Sequence, residues 1–569
     1  MRDRIFFISV GIGIFACIIL LRLFFLQVTQ KEQYQAQASR QQGISLLSEL
    51  RRGGIFFKDS DGMLVPAAVT HRTYNLVGNP RLIENSEYLL EKLTAIVPDM
   101  RRDDLTQQLS DKERSYVLFA KNIEKETSLR ITEEKLMGIW IEEEEQRIYP
   151  SSAMASQVLG FVGFDGNDRT GQYGIEQQYE NALLGKSNVA EKQTFRNKIL
   201  AAGQDFLPKK QSGQDVILTI DPNIQSYAEG LIKKIATQWH AKSAGVLVIQ
   251  PKTGAIIAME STPSFDPNTY GTVSEYNVFL NPIIQNLFEM GSIMKPITMA
   301  AGLDARAITE KTTYHDVGFL KIADATIKNF DGKGRGTVTM YDILDKSLNT
   351  GAVFIMRQLG MRAFRDYVER FGLGELTGID LPHEIEGNMV NLKNGGEVEY
   401  ATASFGQGIA VTPLGLTTAL SAVANGGNLM RPYIVQRIMD GKKIVYEAKP
   451  TIRRRVISKE VSEIVTRMLV QVVDATLGGG KARLTGYSIA AKTGTAQIPN
   501  IHTSGYSDYY LHTFFGYGPA FDPKFFILLY LEQPTGVRYA SQTLTEPFHN
   551  LSEFIVSYYK IPPDRPLHQ

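Results

Sequence analysis

The chain has little cysteine and no excess of either charge, and both features exclude classes of protein. It contains one cysteine in 569 residues, which rules out an internal disulfide framework and a cysteine metal cluster. Its eight histidines show no zinc-ligand spacing. Lysine plus arginine number 61 against 60 for aspartate plus glutamate, and this balance argues against nucleic-acid binding. We therefore expect no metal, no cofactor and no nucleic-acid partner.

Long apolar runs are also scarce, and the one that stands out covers residues 5–26. It carries one charge, Arg22, and is long enough to span a bilayer as a helix. Arg2 and Arg4 precede it and predict a cytoplasmic N-terminus. A cleaved signal peptide is the alternative, but the run is too long and no small-residue cleavage site follows. We expect a cytoplasmic tip and single-pass anchor at 1–28 in the cell (inner) membrane, with the rest periplasmic or extracellular.

Three short strings form an ordered set that is typical of serine acyl transfer. They are Ser292-Ile-Met-Lys295, Ser347-Leu-Asn349 and Lys492-Thr493-Gly494. Each string alone is weak, and two of them have second copies. Ser557-Tyr-Tyr-Lys560 lies almost at the C-terminus, with no room for the other motifs after it. Lys252-Thr253-Gly254 lies between two apolar runs, which predicts the turn of a β-hairpin.

The first string supplies a nucleophile and a base. Ser292 and Lys295 are three residues apart, a spacing that stacks side chains on one face of a helix. A serine hydroxyl needs a base, and Lys295 can serve only if it loses its proton. Burial and a second cation, for which Lys492 is the candidate, both lower a lysine pKa. An exposed helical pair without a catalytic role is the alternative.

The second string places two short polar side chains on a predicted loop. Ser347 could relay a proton to the leaving group, and Asn349 could hold a substrate amide. A helix cap or turn is the alternative, because Ser and Asn favour both.

The third string predicts a strand beside a cleft. Its edge could pair with an extended peptide while Lys492 and Thr493 meet a terminal carboxylate, and Gly494 would allow close backbone approach. The backbone N–H groups of Ser292 and Thr495 are the oxyanion-hole candidates. An ordinary strand ending in a turn is the alternative.

The organisation of the chain predicts an α+β multidomain protein. The first domain is expected at 29–207. Residues 27 to about 48 are predicted to form a helix that leaves the membrane, and residues from about 51 to 206 mix strands and helices with charged loops. A Pro/Gly-containing polar stretch follows at 208–213. Residues 208–569 have strand-rich ends around a helical middle, which indicates a sheet with helices packed on it.

Further strings give the chain its resemblance to the class B penicillin-binding proteins, the monofunctional D,D-transpeptidases of peptidoglycan synthesis. The N-terminal strings are the segment 52–62, Arg147-Ile-Tyr-Pro150, Gly174-Ile-Glu-Gln-Gln-Tyr179 and Leu183-Leu-Gly185. The later ones are Leu218-Thr-Ile-Asp221, Phe288-Glu-Met-Gly-Ser292, Phe405-Gly-Gln-Gly408 and Val411-Thr-Pro413. One position departs from the pattern, because Met290 stands where the family usually has proline.

The resemblance implies a pedestal of the penicillin-binding protein dimerisation type and a transpeptidase domain, an antiparallel sheet with helices packed around it as in serine β-lactamases. It implies a peptidoglycan stem peptide ending in D-Ala-D-Ala as substrate, with Ser292 attacking the carbonyl between the two D-alanines. β-Lactam antibiotics would acylate the same serine. The pedestal lacks the Glu-Asp-x-x-Phe string of the class A relatives. Glycan polymerisation would therefore belong to a partner, a SEDS-family polymerase working with other cell-wall synthesis proteins.

Other functions on this fold remain as alternatives. A β-lactamase or D,D-carboxypeptidase would need a base for water, and Glu384 lies at a suitable distance from Ser347 in sequence, but without the Glu-x-x-Leu-Asn pattern. A penicillin-binding sensor would usually have several membrane spans. Septal synthesis is favoured over elongation, because some elongation-type relatives have a Cys/His/Asp metal site where this chain has His315, Asp316 and Asp324 without cysteine.

Overall fold

The computed structural model describes residues 52–97, 100–166, 168–185, 213–475, 477–500 and 505–566. The anchor expected at 1–28 lies outside the described residues, as does most of the expected boundary at 208–213. Among the described helices, none is long and apolar enough to cross a membrane.

The N-terminal part, residues 52–185, is a mixed α/β unit that we call the pedestal. Its strands are β1 (Ile55–Lys58), β2 (Leu64–Gly78), β3 (Val117–Ile123), β4 (Ile139–Ile148), β5 (Phe161–Asp165) and β6 (Asp168–Gln172). Its helices are α1 (Ser86–Ile96), α2 (Arg102–Ser110), α3 (Lys125–Glu133), α4 (Ser156–Leu159), α5 (Gly174–Gln178) and α6 (Glu180–Leu183), with a 3-10 turn at Pro80–Leu82. Buried side chains of α1 to α3 and β3, Leu93 and Phe119 among them, form a small separate core.

The C-terminal part, residues 213–566, contains the remaining strands and helices. Its strands are β7 (Asp215–Leu218), β8 (Ser243–Ile249), β9 (Ile256–Thr262), β10 (Thr313–Asp316), β11 (Phe319–Ile322), β12 (Ala325–Lys328), β13 (Gly336–Thr339), β14 (Asn428–Met430), β15 (Val435–Asp440), β16 (Lys443–Glu447), β17 (Ile452–Arg455), β18 (Ala490–Pro499), β19 (Tyr506–Gly518) and β20 (Phe525–Glu532). Its helices are α7 (Pro222–Gln238), α8 (Pro282–Gln285), α9 (Lys295–Asp304), α10 (Met340–Asp345), α11 (Asn349–Leu359), α12 (Met361–Arg370), α13 (Val390–Asn394), α14 (Glu397–Ala403), α15 (Pro413–Ala424), α16 (Lys459–Ala475), α17 (Ala540–Thr543) and α18 (Thr545–Tyr558). Its 3-10 turns are Pro267–Thr272, Tyr276–Phe279, Gly291–Met294 and Leu477–Gly480.

An antiparallel sheet with the order β18-β19-β20-β8-β9 organises the C-terminal part. Strand β20 is buried along its whole length, so both faces of the sheet are covered. Helices α7 and α18 pack together on the sheet, and α9, α15 and α16 form a second packed group against it. The expected antiparallel sheet with helices around it is therefore confirmed. The predicted hairpin is confirmed as well, since β8 and β9 pair antiparallel with Lys252 in their turn.

A second, seven-stranded sheet joins the two parts of the chain. Its order is β16-β15-β7-β1-β2-β3, with β4 paired to β2. Strand β1 of the pedestal runs parallel to β7, and β7 pairs antiparallel with β15. The pedestal and the C-terminal part therefore share backbone hydrogen bonds within one sheet.

A buried ion cluster lies beside this shared sheet. Glu176 is fully buried and accepts hydrogen bonds from Arg52 Nε at 2.8 Å and Arg147 Nε at 2.7 Å. The guanidinium of Arg52 also contacts Glu180 at 2.7 Å. The backbone N–H of Gly53 donates to Leu183 O at 2.8 Å. The pedestal strings singled out in the sequence thus meet at one place, which we call the arginine–glutamate knot.

Candidate active site

Ser292 lies on the 3-10 turn Gly291–Met294, which runs directly into helix α9 at Lys295. The sequence predicted both residues on one helix, whereas the serine precedes the α-helix by about one turn. Pro296 explains this difference, because a proline is tolerated only in the first turn of a helix. The short spacing still brings the two side chains together.

The serine turn is held between β18 and the loop around Gly406. The backbone N–H of Gly291, at a φ of +62°, donates to Gly406 O at 3.0 Å. Thr513 Oγ1 donates to Met290 O at 3.0 Å from the neighbouring strand β19. A Cβ atom added to Gly494 would lie 2.7 Å from Met290 O, so only glycine fits there. The close backbone approach predicted at Gly494 is confirmed.

Lys295 is 1% exposed and brings the first two strings together. Its Nζ lies 2.9 Å from Ser292 Oγ, 2.7 Å from Ser347 O and 2.8 Å from Asn349 Oδ1. The latter two oxygens can only accept hydrogen bonds. A neutral lysine amine therefore donates its two N–H bonds to them and keeps its lone pair for the Ser292 hydroxyl.

Two buried lysines, Lys295 and Lys492, share the site. Burial, and then the charge of Lys492, lower the pKa of Lys295 well below its ordinary value. Burial lowers the pKa of Lys492 to about 8, against an opposing effect of Asp345. The hydrogen bonds of Lys295 go to uncharged oxygens. The environment therefore favours a neutral lysine beside the serine.

Local sequence positions Ser347 between two helices. A capping box between Thr339 and Asp342 starts α10, and α11 begins at Asn349. Ser347 has a φ of +53°, a conformation that few non-glycine residues adopt, and its Oγ lies 3.2 Å from Lys295 Nζ. Asn349 Nδ2 donates to Lys328 O at 2.9 Å, so this amide also fixes strand β12.

Lys492 to Thr495 lie on β18, at the edge of the five-stranded sheet. This matches the predicted strand, and an edge strand can pair with an extended peptide. A cleft of about 780 Å³ runs beside it. Its lining includes Ser292, Ser347, Asn349, Lys492, Thr493 and Thr495. Lys295 lies beneath it, and Gly494 closes the floor against the serine turn.

Comparison with known proteins follows the same division of the chain. A family model described as the penicillin-binding protein transpeptidase domain matches residues 244–553. The chain belongs to this family. A model for the penicillin-binding protein dimerisation domain matches residues 49–218. The interpretation as a class B penicillin-binding protein and a transpeptidase enzyme is confirmed.

Relatives and solved structures resemble this penicillin-binding protein over most of its length. Stage V sporulation protein D of Bacillus subtilis is 30% identical, covering 96% of this chain and 84% of the relative. The peptidoglycan D,D-transpeptidase FtsI homolog of Mesostigma viride is 28% identical, covering 96% and 94%. Penicillin-binding protein 2X of Streptococcus thermophilus superposes with a TM-score of 0.77 at 20% identity, covering 90% of this chain and 80% of that one. At that identity the superposition shows the fold.

Glu384, the candidate base of a hydrolase, is held inside its own loop. Its carboxylate accepts hydrogen bonds from the backbone N–H of Thr377 at 2.8 Å and of Gly378 at 3.0 Å, and from the Thr377 hydroxyl. It does not line the cleft. Its geometry in this penicillin-binding protein therefore supports the structural interpretation of Glu384.

The second motif copies also lie away from the cleft. Ser557 and Lys560 are exposed at the C-terminal end of α18. Lys252 pairs with Asp522 in a surface turn. The three strings of the ordered set are therefore the copies that lie together at the cleft.

The acidic residues between the first two motifs form no metal site among the described residues. Asp316 is buried and accepts from the backbone N–H groups of Gly318 and Arg335, from Asn329 Nδ2 and from Thr350 Oγ1. This network packs against the start of α11 and helps to fix Asn349. No sequence pattern predicted this network, because its donors come from three separate segments.

Proposed function

We propose that this protein cross-links peptidoglycan stem peptides by acyl transfer through Ser292. The geometry that carries the proposal is the 2.9 Å contact between Lys295 Nζ and Ser292 Oγ, made by a buried lysine whose pKa is lowered. The family match to the transpeptidase domain supports the same reaction.

The proposed reaction has two steps that share one base. Lys295 takes the Ser292 proton as Oγ attacks the carbonyl carbon between the two terminal D-alanines of the donor. The C–N bond breaks, and the departing D-alanine takes up a proton through Ser347. An amine of a second stem peptide then attacks the ester carbon and releases Ser292 Oγ. The backbone N–H groups of Ser292 and Thr495 stabilise the oxyanion of both steps.

Substrate binding is proposed along strand β18. The donor peptide extends the sheet at this edge, and its terminal carboxylate meets Lys492 and Thr493. Asn349 holds a substrate amide with the N–H that its contact to Lys328 leaves free. β-Lactams acylate Ser292 in place of the donor.

The cellular setting is proposed from the sequence. Residues 1–28 form the cytoplasmic tip and membrane anchor, 29–207 the pedestal domain and 208–569 the transpeptidase domain, which lies outside the cytoplasm. The septal wall is the proposed place of action, with a SEDS-family polymerase supplying the glycan strands. A fluorescent fusion in dividing cells would test this, and uniform labelling of the lateral wall would contradict it.

Mapping a penicillin adduct tests the chemistry. The full-length chain in detergent is labelled with a fluorescent penicillin, and the modified peptide is identified by mass spectrometry. We expect the adduct on Ser292 and none in Ser292→Ala, while Ser557→Ala labels normally. An adduct on Ser557, or no adduct at all, would contradict the proposal. Rapid nitrocefin turnover that falls in Glu384→Gln would support a β-lactamase instead.

A further inference from the structure

The two walls of the cleft come from different parts of the chain. One wall contains strand β12, whose Lys328 carbonyl accepts a hydrogen bond from Asn349 at 2.9 Å. The other contains β18 and the start of α17, joined by a 3.1 Å hydrogen bond from Ala540 N to Thr495 Oγ1. One wall therefore contacts Asn349 of the second string, and the other contacts Thr495, which directly follows the third string.

Aromatic side chains of these walls meet across the cleft. The rings of Phe330 and Tyr539 are 5.9 Å apart at an interplanar angle of 83°, a favourable edge-to-face contact. Both line the same cleft as Ser292, and Phe330 is 50% exposed. We call this pair the aromatic bridge.

A guanidinium group lies over each ring of the bridge. Arg335 lies 6.0 Å from the Phe330 centroid and Arg538 lies 5.5 Å from the Tyr539 centroid. Arg335 is also paired with Asp331 at 2.8 Å, whereas Arg538 has no ion pair among the described residues. The Arg335 guanidinium is thus held by an ion pair, whereas the segment of Tyr539 is held through its backbone, where Arg538 O lies 3.0 Å from His512 Nε2.

We propose that the aromatic bridge determines how the acyl-enzyme is divided between an amine acceptor and water; this rests on the proposed function. A closed bridge covers part of the cleft and limits the access of water to the ester on Ser292. A peptide amine gains contact surface when it separates the rings, whereas a water molecule gains none. The bridge therefore selects the acceptor.

Both outcomes break the ester bond to Ser292 and differ in the bond that replaces it. In transfer, the acceptor nitrogen forms a C–N bond to the ester carbon, the C–O bond to Ser292 breaks, and the nitrogen proton passes through Lys295 to Oγ. In hydrolysis, water forms the new C–O bond, gives up a proton by the same route, and the product is a free carboxylic acid. Glu384 lies outside the cleft lining, so it supplies no separate base for water.

The test measures the fate of the acyl group in the full-length chain in detergent. A thioester donor is supplied with D-alanine as the amine, and the ratio of transfer to hydrolysis is determined, together with decay of a penicilloyl adduct. Phe330→Ala and Tyr539→Ala should speed decay and raise the hydrolysed fraction by about two- to tenfold, the scale of one aromatic contact. Because both residues line the cleft, each hydrolysed fraction is compared with the acylation rate of the same variant.

Matched variants separate the bridge from general damage. Tyr539→Phe keeps the ring and should behave as wild type, and Phe330→Leu keeps bulk without the ring and should resemble Phe330→Ala. Phe319→Ala removes an exposed aromatic on β11 outside the cleft lining and should change nothing. Equal decay in wild type and all bridge variants would overturn the inference. A wild-type chain that forms no adduct would instead overturn the proposed function.

Discussion

Two buried charge clusters in this molecule have opposite composition. The arginine–glutamate knot of the pedestal joins Arg52 and Arg147 to the carboxylate of Glu176. The catalytic cluster contains two lysines, Lys295 and Lys492, which are 1% and 2% exposed. Burial would raise the pKa of Glu176, but the charges of Arg147 and Arg52 hold it below its ordinary value. In the catalytic cluster burial and the neighbouring cation act in the same direction, and the pKa of Lys295 falls.

The comparison teaches what each kind of burial can do. A charge that meets its opposite stays ionised and fixes the backbone around it, as the knot does between β1 and the segment after β6. A charge buried beside a like charge is pushed towards its neutral form and becomes a base. Removing a partner should therefore reduce stability at the knot and activity at the lysines.

The largest effect should come from Lys295→Arg. Arginine keeps the charge but does not deprotonate in proteins, so it cannot take the Ser292 proton. We expect the acylation rate by a fluorescent penicillin to fall about 10²- to 10⁴-fold, the loss of a general base. Lys492→Arg should retain partial activity, because its proposed role is to pair with a carboxylate. Equal losses at both positions would contradict the separate roles.

Glu176→Gln should give the largest loss of stability. Arg147 would lose its carboxylate and Arg52 would keep only that of Glu180, and breaking such a buried pair costs about 3–5 kcal/mol. Thermal unfolding should show an earlier first transition, while the acylation rate per folded molecule stays unchanged. Glu397→Gln removes one partner of an exposed pair with Arg357 and should cost under about 1 kcal/mol. A slower acylation in Glu176→Gln would show that the two clusters are coupled.

The sequence predicted the local features of both clusters better than their partners. The β8–β9 hairpin, the strand at Lys492 and the ordered strings follow from short patterns of apolar, turn and polar residues. The knot and the Phe330–Tyr539 contact do not, since each joins segments far apart in the chain that the whole fold brings together. The contact of Glu384 with Thr377 lies within one loop, but no short pattern marks it. The 3-10 turn under Ser292 was also missed, because spacing does not distinguish it from an α-helix.

The pH dependence of acylation tests the comparison between the two charge clusters, because it reports how far the charge of Lys492 lowers the pKa of Lys295. The base works only when neutral, so the rate should rise with pH through the lowered pKa of Lys295 and fall again as Lys492, with a pKa of about 8, loses the charge that meets the carboxylate. Lys492→Met removes the neighbouring cation, and the rising limb should move to higher pH, whatever happens to the maximal rate. Second-order acylation rates measured across the pH range give both quantities. A limb that does not move would mean that burial alone sets the pKa of Lys295.

The smallest effect is expected at a third cluster, a pair of buried carboxyls outside the cleft. Gln225 Nε2 donates to Glu229 at 3.1 Å and to Glu260 at 3.1 Å, and Lys233 lies 3.9 Å from Glu229. Burial, and then the charge of Glu229, raise the pKa of Glu260 well above its ordinary value. The folded chain therefore holds a proton there more tightly than the unfolded chain does. The bound proton therefore contributes to the free energy of unfolding. This contribution is fully present below the pKa of Glu260 in the unfolded chain and is lost as the pH rises through its pKa in the folded chain.

Glu260→Gln tests whether like-charge burial costs stability where no chemistry uses it. The amide cannot ionise, so the variant should be more stable than wild type at about pH 8 and nearly equal to it at about pH 4. Thermal unfolding at both pH values measures this, and acylation rates should not change. Glu546→Gln, at an exposed position in the first turn of α18, is the matched control for the loss of a carboxylate. A variant less stable at the higher pH would mean that the Glu260 carboxylate is ionised and stabilising in the fold, and the contrast between paired and like-charged burial would then fail at this site.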